Sequence, residues 1–132
     1  MTKTLSSLGL ATLIALPALA VVPDYNRDIR PILSENCFAC HGFDEKHREA
    51  DLRLDVGEEA KKERDGVFAI KPGDLDESEV WYRLITDDED DLMPPPDSHL
   101  KLTAIEKSKI KAWIEGGAPY AGHWSFIAPK RP

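Results

Sequence analysis

The stretch Cys37-Phe38-Ala39-Cys40-His41 contains the only two cysteines of this 132-residue chain. A Cys-x-x-Cys-His string is the attachment signature of a c-type haem, in which each thiol adds to one vinyl group of the porphyrin. The histidine at the end of the string would lie next to the iron as its proximal ligand. The motif therefore predicts covalently bound haem c, with Cys37 and Cys40 as attachment sites and His41 as one axial ligand.

Other uses of a Cys-x-x-Cys pair fit this sequence less well. An exported protein with two cysteines can form one disulfide, but closing so short a loop gains little stability. A thioredoxin-like redox motif requires a surrounding βαβ pattern, which the sequence does not show. A structural zinc site takes four ligands, commonly from two such pairs, and only one pair is present. A non-haem interaction module remains the alternative.

The first twenty residues have the pattern of a secretory signal peptide. Lys3 supplies the positive region, Leu8 to Leu16 the apolar region and Ala18-Leu19-Ala20 the small-residue cleavage site. We expect cleavage after Ala20, export to the periplasm and no integral membrane segment in the mature protein. The alternative is an uncleaved N-terminal anchor.

The charge of the chain limits its partners. The formal net charge is −7, and loss of Lys3 with the signal peptide makes it one unit more negative. Binding of nucleic acid phosphates requires the opposite sign, so nucleic acid is excluded as a partner. The charge is compatible with a redox partner protein that has a basic docking face.

The predicted fold class is mainly α: a small helical fold with long loops, wrapped around one covalent haem. The 10 prolines and 8 glycines indicate that much of the chain is loop. We expect the haem domain to span residues 21–122. The tail at 123–132 would be the start of a following module that is missing here.

Three helices are predicted. The first runs into the haem motif and begins near Arg30, with Pro31 in its first turn. The second begins near Asp76, where a capping box with Glu79 competes with a Ser78 cap. The third begins at Thr103. The apolar faces of the second and third helices are assigned to Val80, Trp81, Leu84 and Ile85, and to Ile105, Ile110, Trp113 and Ile114.

The ends of the third helix and the intervening segments also carry signals. Thr103 and Glu106 have the spacing of a capping box, and Gly116-Gly117 ends the helix. Apolar Leu52 and Leu54 alternate with Arg53 in residues 50–55, which indicates a short extended piece. The acidic run from Asp87 to Asp91 is interpreted as a solvated loop.

The second axial ligand decides the function. Met93 is the only methionine after signal removal, and three prolines follow it directly. A lone thioether in a loop stiffened by prolines is well explained as an iron ligand, so we predict Met93 as the second axial ligand. A thioether ligand raises the reduction potential and suits electron transfer, so we predict no enzymatic activity. His99 is its main rival. If the distal face were open instead, His99 or Asp97 could assist haem-based catalysis or sensing.

The sequence resembles the cytochrome c domain of planctomycete-type exported proteins. This resemblance implies a c-type cytochrome fold, covalent haem and electron transfer, with Cys37 and Cys40 as attachment sites and His41 and Met93 as axial ligands. In that family the module usually opens a much longer protein, so the chain is either free-standing or truncated from one. The matching segments are residues 25–42, 50–55, 72–74, 77–79, 93–96, 113–118 and 123–126.

Overall fold

The computed structural model describes residues 21–122. Within this range, four α-helices and one small hairpin are joined by long loops, which confirms the expectation of a small, mainly helical fold. The predicted signal peptide, residues 1–20, and the predicted C-terminal tail, residues 123–132, lie outside the described residues. The helices are α1 (Arg30–Asn36), α2 (Gly57–Ala60), α3 (Glu79–Ile85) and α4 (Ala104–Glu115), and the antiparallel strands are β1 (Glu63–Arg64) and β2 (Val67–Phe68).

The first helix begins where the sequence predicts. A π-helical turn, Tyr25–Ile29, leads into α1, and Asp24 caps that turn by accepting a 2.8 Å hydrogen bond from the Arg27 backbone N–H. Pro31 lies in the first turn of α1, where its missing N–H leaves no hydrogen bond unmade. The prediction for this helix is therefore confirmed.

The third predicted helix is α4, and its ends are confirmed. The Thr103 hydroxyl accepts from the Glu106 N–H at 3.2 Å, and the Glu106 carboxylate accepts from the Thr103 N–H at 2.7 Å. Gly116 follows the last helical residue. Ile105 was wrongly assigned to the apolar face, because its side chain is 70 % exposed at the first turn, which projects beyond the core.

The second predicted helix begins later than expected. It is α3, which starts at Glu79, and no capping box forms between Asp76 and Glu79. Ser78 is buried, and its hydroxyl donates to the Asp74 carbonyl at 2.6 Å and accepts from the Lys71 N–H at 2.9 Å. Tertiary contacts therefore occupy the side chain that was expected to cap the helix. Ile85, at the other end of α3, is half exposed.

The expected extended piece at residues 50–55 is absent from this described segment. Ala50 and Asp51 have positive φ angles of 54° and 48°, a left-handed conformation that interrupts an extended chain. Leu54 is nevertheless buried, and its N–H donates to the His41 carbonyl at 2.9 Å. The segment thereby packs against the haem motif as a loop.

An aromatic cluster of Tyr25, Trp113 and Tyr120 holds the two ends of the described chain together. The Tyr120 ring lies 4.7 Å from that of Tyr25 and 5.1 Å from that of Trp113, between ring centroids. Cys37 and Phe38 pack against the same core. The haem motif is therefore attached to the best-packed part of the molecule. Among residues 21–122, no helix has the length and hydropathy needed to cross a bilayer.

Candidate haem-binding site

The Cys-x-x-Cys-His segment forms a turn that continues the last turn of α1. The Cys37 N–H donates to the Leu33 carbonyl at 2.8 Å, and the His41 N–H donates to the Cys37 carbonyl at 2.8 Å. In a helical turn, residues three and four apart lie on the same side. The spacing therefore places Cys37, Cys40 and His41 on one side of the turn, as a single group bound at three points would require.

Gly42 allows the turn to close on itself. A Cβ atom at this buried position would lie 2.2 Å from the Phe38 carbonyl oxygen. No side chain fits at this distance without movement of the backbone that carries Cys37 and Cys40. Sequence reasoning assigned no role to Gly42, because the close approach to Phe38 depends on how the turn folds back.

We expect Gly42→Ala to lower the free energy of unfolding by about 1–3 kcal/mol, the usual cost of forcing extra volume into a packed site. The yield of haem-loaded protein should fall with it. Urea unfolding followed by circular dichroism measures the first effect. Gly122→Ala is the control, because a Cβ there meets no atom within 4 Å. Equal stability of the two variants would contradict the steric argument.

The two thiols are free, with Cys37 half-buried and Cys40 exposed. Burial, with a smaller contribution from Cys40, raises the pKa of Cys37 to about 12. A redox-active or metal-binding cysteine needs the opposite shift, because the thiolate is the reactive form. The buried Cys37 thiol is therefore poorly suited to thiol–disulfide exchange.

The imidazole of His41 is oriented by the backbone. Its Nδ1 lies 3.3 Å from the carbonyl oxygen of Glu49, and the Glu49 N–H donates to the Cys40 carbonyl at 2.7 Å. Burial lowers the pKa of His41, the Glu49 hydrogen bond opposes this, and the charge of Arg83 lowers it further. A neutral ring with a proton on Nδ1 leaves Nε2 able to bind iron. The residues of this turn thus fit haem c.

Met93 and His99, the rival ligands, line the same cavity of about 360 Å³. Met93 is half-buried, and its backbone N–H donates to the Arg83 carbonyl at 2.9 Å. His99 is exposed and adopts a left-handed φ of 59°. His41 does not line this cavity, so the choice between the two ligands remains a prediction.

A family model described as planctomycete cytochrome C matches residues 37–97. Residues 37–97 are therefore similar to planctomycete cytochrome C. The matched segment of this cytochrome family contains Cys37, Cys40, His41 and Met93, and it ends before α4. The resemblance seen in the sequence is thereby confirmed. Neither a curated protein nor a solved structure matches the chain significantly.

Outside the motif, the part of the chain that the structure describes offers no rival metal site. Among residues 21–122, no three side chains of His, Cys, Asp or Glu are grouped closely enough to hold an ion. His47 is exposed and pairs with Asp44 at 2.8 Å. The zinc alternative therefore finds no further ligands in this range.

The structure also assigns a role to Asp91 that sequence reasoning missed. The acidic run was expected to be wholly solvated, and its first four residues are exposed. Asp91 instead accepts hydrogen bonds from the Tyr82 hydroxyl at 3.0 Å and the Arg83 guanidinium at 3.3 Å. Nothing in the acidic run itself distinguished Asp91 from its four neighbours.

Proposed function

We propose that this chain is an exported c-type cytochrome that transfers single electrons and catalyses no reaction of its own. Haem c would be attached through Cys37 and Cys40, with His41 and Met93 as axial ligands. Bound haem c supplies one-electron chemistry through its ferrous and ferric iron. The observation that carries the proposal is the set of free thiols and oriented imidazole on one turn.

The residues around His41 have a defined task in this proposal. The Glu49 carbonyl holds the Nδ1 proton and thereby sets the ring orientation. The buried environment disfavours the imidazolium, which cannot bind iron. Both effects maintain the ligand form of His41 in either oxidation state.

The distribution of charge supports a basic redox partner. The acidic residues 87–90 are exposed and lie shortly before Met93 in the sequence, on a chain whose formal net charge is −7. Opposite charge on a partner would steer the two proteins together and accelerate their encounter. Export would bring the cytochrome to such a partner in the periplasm.

A haem-based catalyst or sensor is the second candidate. The cavity shared by Met93 and His99 favours it, because a small ligand would need space near the distal face. In that case neither residue would occupy the sixth coordination position permanently, and the ferrous protein would bind carbon monoxide at once.

The test is to export the full chain from a host with a cytochrome maturation system. We expect a band that stains for haem on a denaturing gel, a low-spin spectrum and slow binding of carbon monoxide. Cys37→Ser/Cys40→Ser is the negative control and should give no haem-stained band. A colourless wild-type protein with two reactive thiols would exclude the cytochrome. A red protein that binds carbon monoxide at once would favour the catalyst or sensor.

A further inference from the structure

Asp91 joins α3 to the segment that carries the predicted iron ligand. The Tyr82 hydroxyl donates to Asp91 Oδ2 at 3.0 Å, and Arg83 Nη1 donates to Asp91 Oδ1 at 3.3 Å. The same Nη1 lies 3.2 Å from the Asp91 carbonyl oxygen. Two consecutive residues of α3 therefore hold one carboxylate from both of its oxygens.

Arg83, which binds the Asp91 carboxylate, is itself held in place by a second carboxylate. Arg83 Nε donates to Glu79 Oε1 at 2.8 Å, one helical turn earlier in α3. The Arg83 side chain is only about one third exposed. An arginine fixed by a second carboxylate loses less side-chain entropy when it binds Asp91. The contact is therefore stronger than that of an isolated surface ion pair.

Met93 itself is also bonded to Arg83. The Met93 backbone N–H donates to the Arg83 carbonyl oxygen at 2.9 Å. Arg83 thus contacts the chain at Asp91 with its side chain and at Met93 with its backbone. Two contacts from one residue of α3 therefore hold the chain at and just before the predicted ligand.

We propose that Asp91, held by Tyr82 and Arg83, is a positioning residue that keeps Met93 over the haem iron. The proposal rests on the proposed function, because it assumes haem c and Met93 ligation. In the ferrous protein, carbon monoxide binds only when Met93 leaves the iron. Loss of the Asp91 contacts would loosen the segment from Asp91 to Met93 and raise the fraction of molecules in which Met93 has left the iron.

The test compares Asp91→Ala with Asp90→Ala in the full-length, haem-loaded protein. Both substitutions remove one negative charge from neighbouring positions, but Asp90 is exposed and its carboxylate makes no hydrogen bond in the described part of the chain. We expect ferrous Asp91→Ala to bind carbon monoxide about tenfold faster than wild type, the effect of losing charge-assisted hydrogen bonds. Asp90→Ala should stay within about twofold, as expected for an exposed site.

Further variants separate positioning from loss of folding. Tyr82→Phe removes one hydroxyl from an exposed ring, and the rate should rise a few-fold. Arg83→Leu should act like Asp91→Ala, and the variant with both substitutions should add little, because each substitution removes the same Arg83–Asp91 contact. Arg64→Leu is the control for Arg83→Leu. The Arg64 side chain is as exposed as that of Arg83, but it pairs with Glu59 and not with the residues near Met93. Circular dichroism verifies that each variant is folded.

The outcomes distinguish the two proposals. A wild-type protein without covalent haem, or one that binds carbon monoxide at once, overturns the proposed function and this inference with it. A six-coordinate wild type with equal rates in Asp91→Ala and Asp90→Ala overturns this inference alone. A faster Asp91→Ala, accompanied by a weaker sulfur-to-iron charge-transfer band in the ferric protein, supports it.

Discussion

Replacing Met93 by alanine is expected to convert a closed, six-coordinate haem into an open one. The thioether is the predicted sixth ligand, and alanine offers the iron no donor atom. Ferrous Met93→Ala should bind carbon monoxide at least about a hundredfold faster than wild type, since a ligand bond worth several kcal/mol no longer competes. The reduction potential should fall by on the order of 0.1 V, because a thioether stabilises the ferrous state.

His99→Ala is the matched control for this substitution. His99 lines the same cavity as Met93 and is exposed, so its loss perturbs the same loop without a large packing cost. Carbon monoxide kinetics and potentiometric titration of the two variants identify the ligand. If His99→Ala opens the iron and Met93→Ala does not, the ligand assignment is reversed and the potential of the wild type belongs to a bis-histidine haem.

Replacing Trp113 by alanine is expected to lower the free energy of unfolding by about 3–5 kcal/mol. Trp113 is fully buried in α4, and its ring packs edge-on against Tyr120 at 5.1 Å. Its indole N–H also donates to the Pro119 carbonyl at 3.0 Å. Such a loss is a large part of the total stability of a domain of this size, which is typically about 5–15 kcal/mol.

Urea unfolding of the haem-loaded protein measures this loss as a lower midpoint. Ile105→Ala in the same helix is the control, because its side chain is 70 % exposed and its removal should change stability by no more than about 0.5 kcal/mol. Trp113→Phe should be intermediate, since it retains most of the buried ring but loses the hydrogen bond to Pro119. Equal midpoints for Trp113→Ala and Ile105→Ala would show that the aromatic cluster does not stabilise the fold.

Local signals in the sequence predicted local structure well. Pro31 in the first turn of α1 and the Thr103–Glu106 capping box are both present. Each depends on contacts between residues no more than four positions apart, so no knowledge of the rest of the chain is required. The same reasoning failed at Ser78, where backbone groups of the preceding 71–74 turn, four and seven positions earlier, bind the hydroxyl.

The roles of Ile105, Asp91 and Gly42 could not be predicted in the same way. Apolar spacing suggested that Ile105 faces the core, but only the packing of α4 shows that its first turn projects into solvent. A run of five acidic residues gave no reason to separate Asp91 from its neighbours. The contact of Gly42 with Phe38 depends on how the turn folds back.

The sequence by itself determined the reactive groups of this protein: two thiols and an imidazole at a spacing typical of covalent haem, in a segment that matches the planctomycete cytochrome C family model. The reactive groups and their spacing are properties of the amino-acid sequence and do not depend on the fold. Only the tertiary structure decided how the predicted ligands are held, through the Glu49 carbonyl at His41 and the Asp91 contacts near Met93. Those contacts join residues eight or nine positions apart, across loops that no local rule of sequence describes.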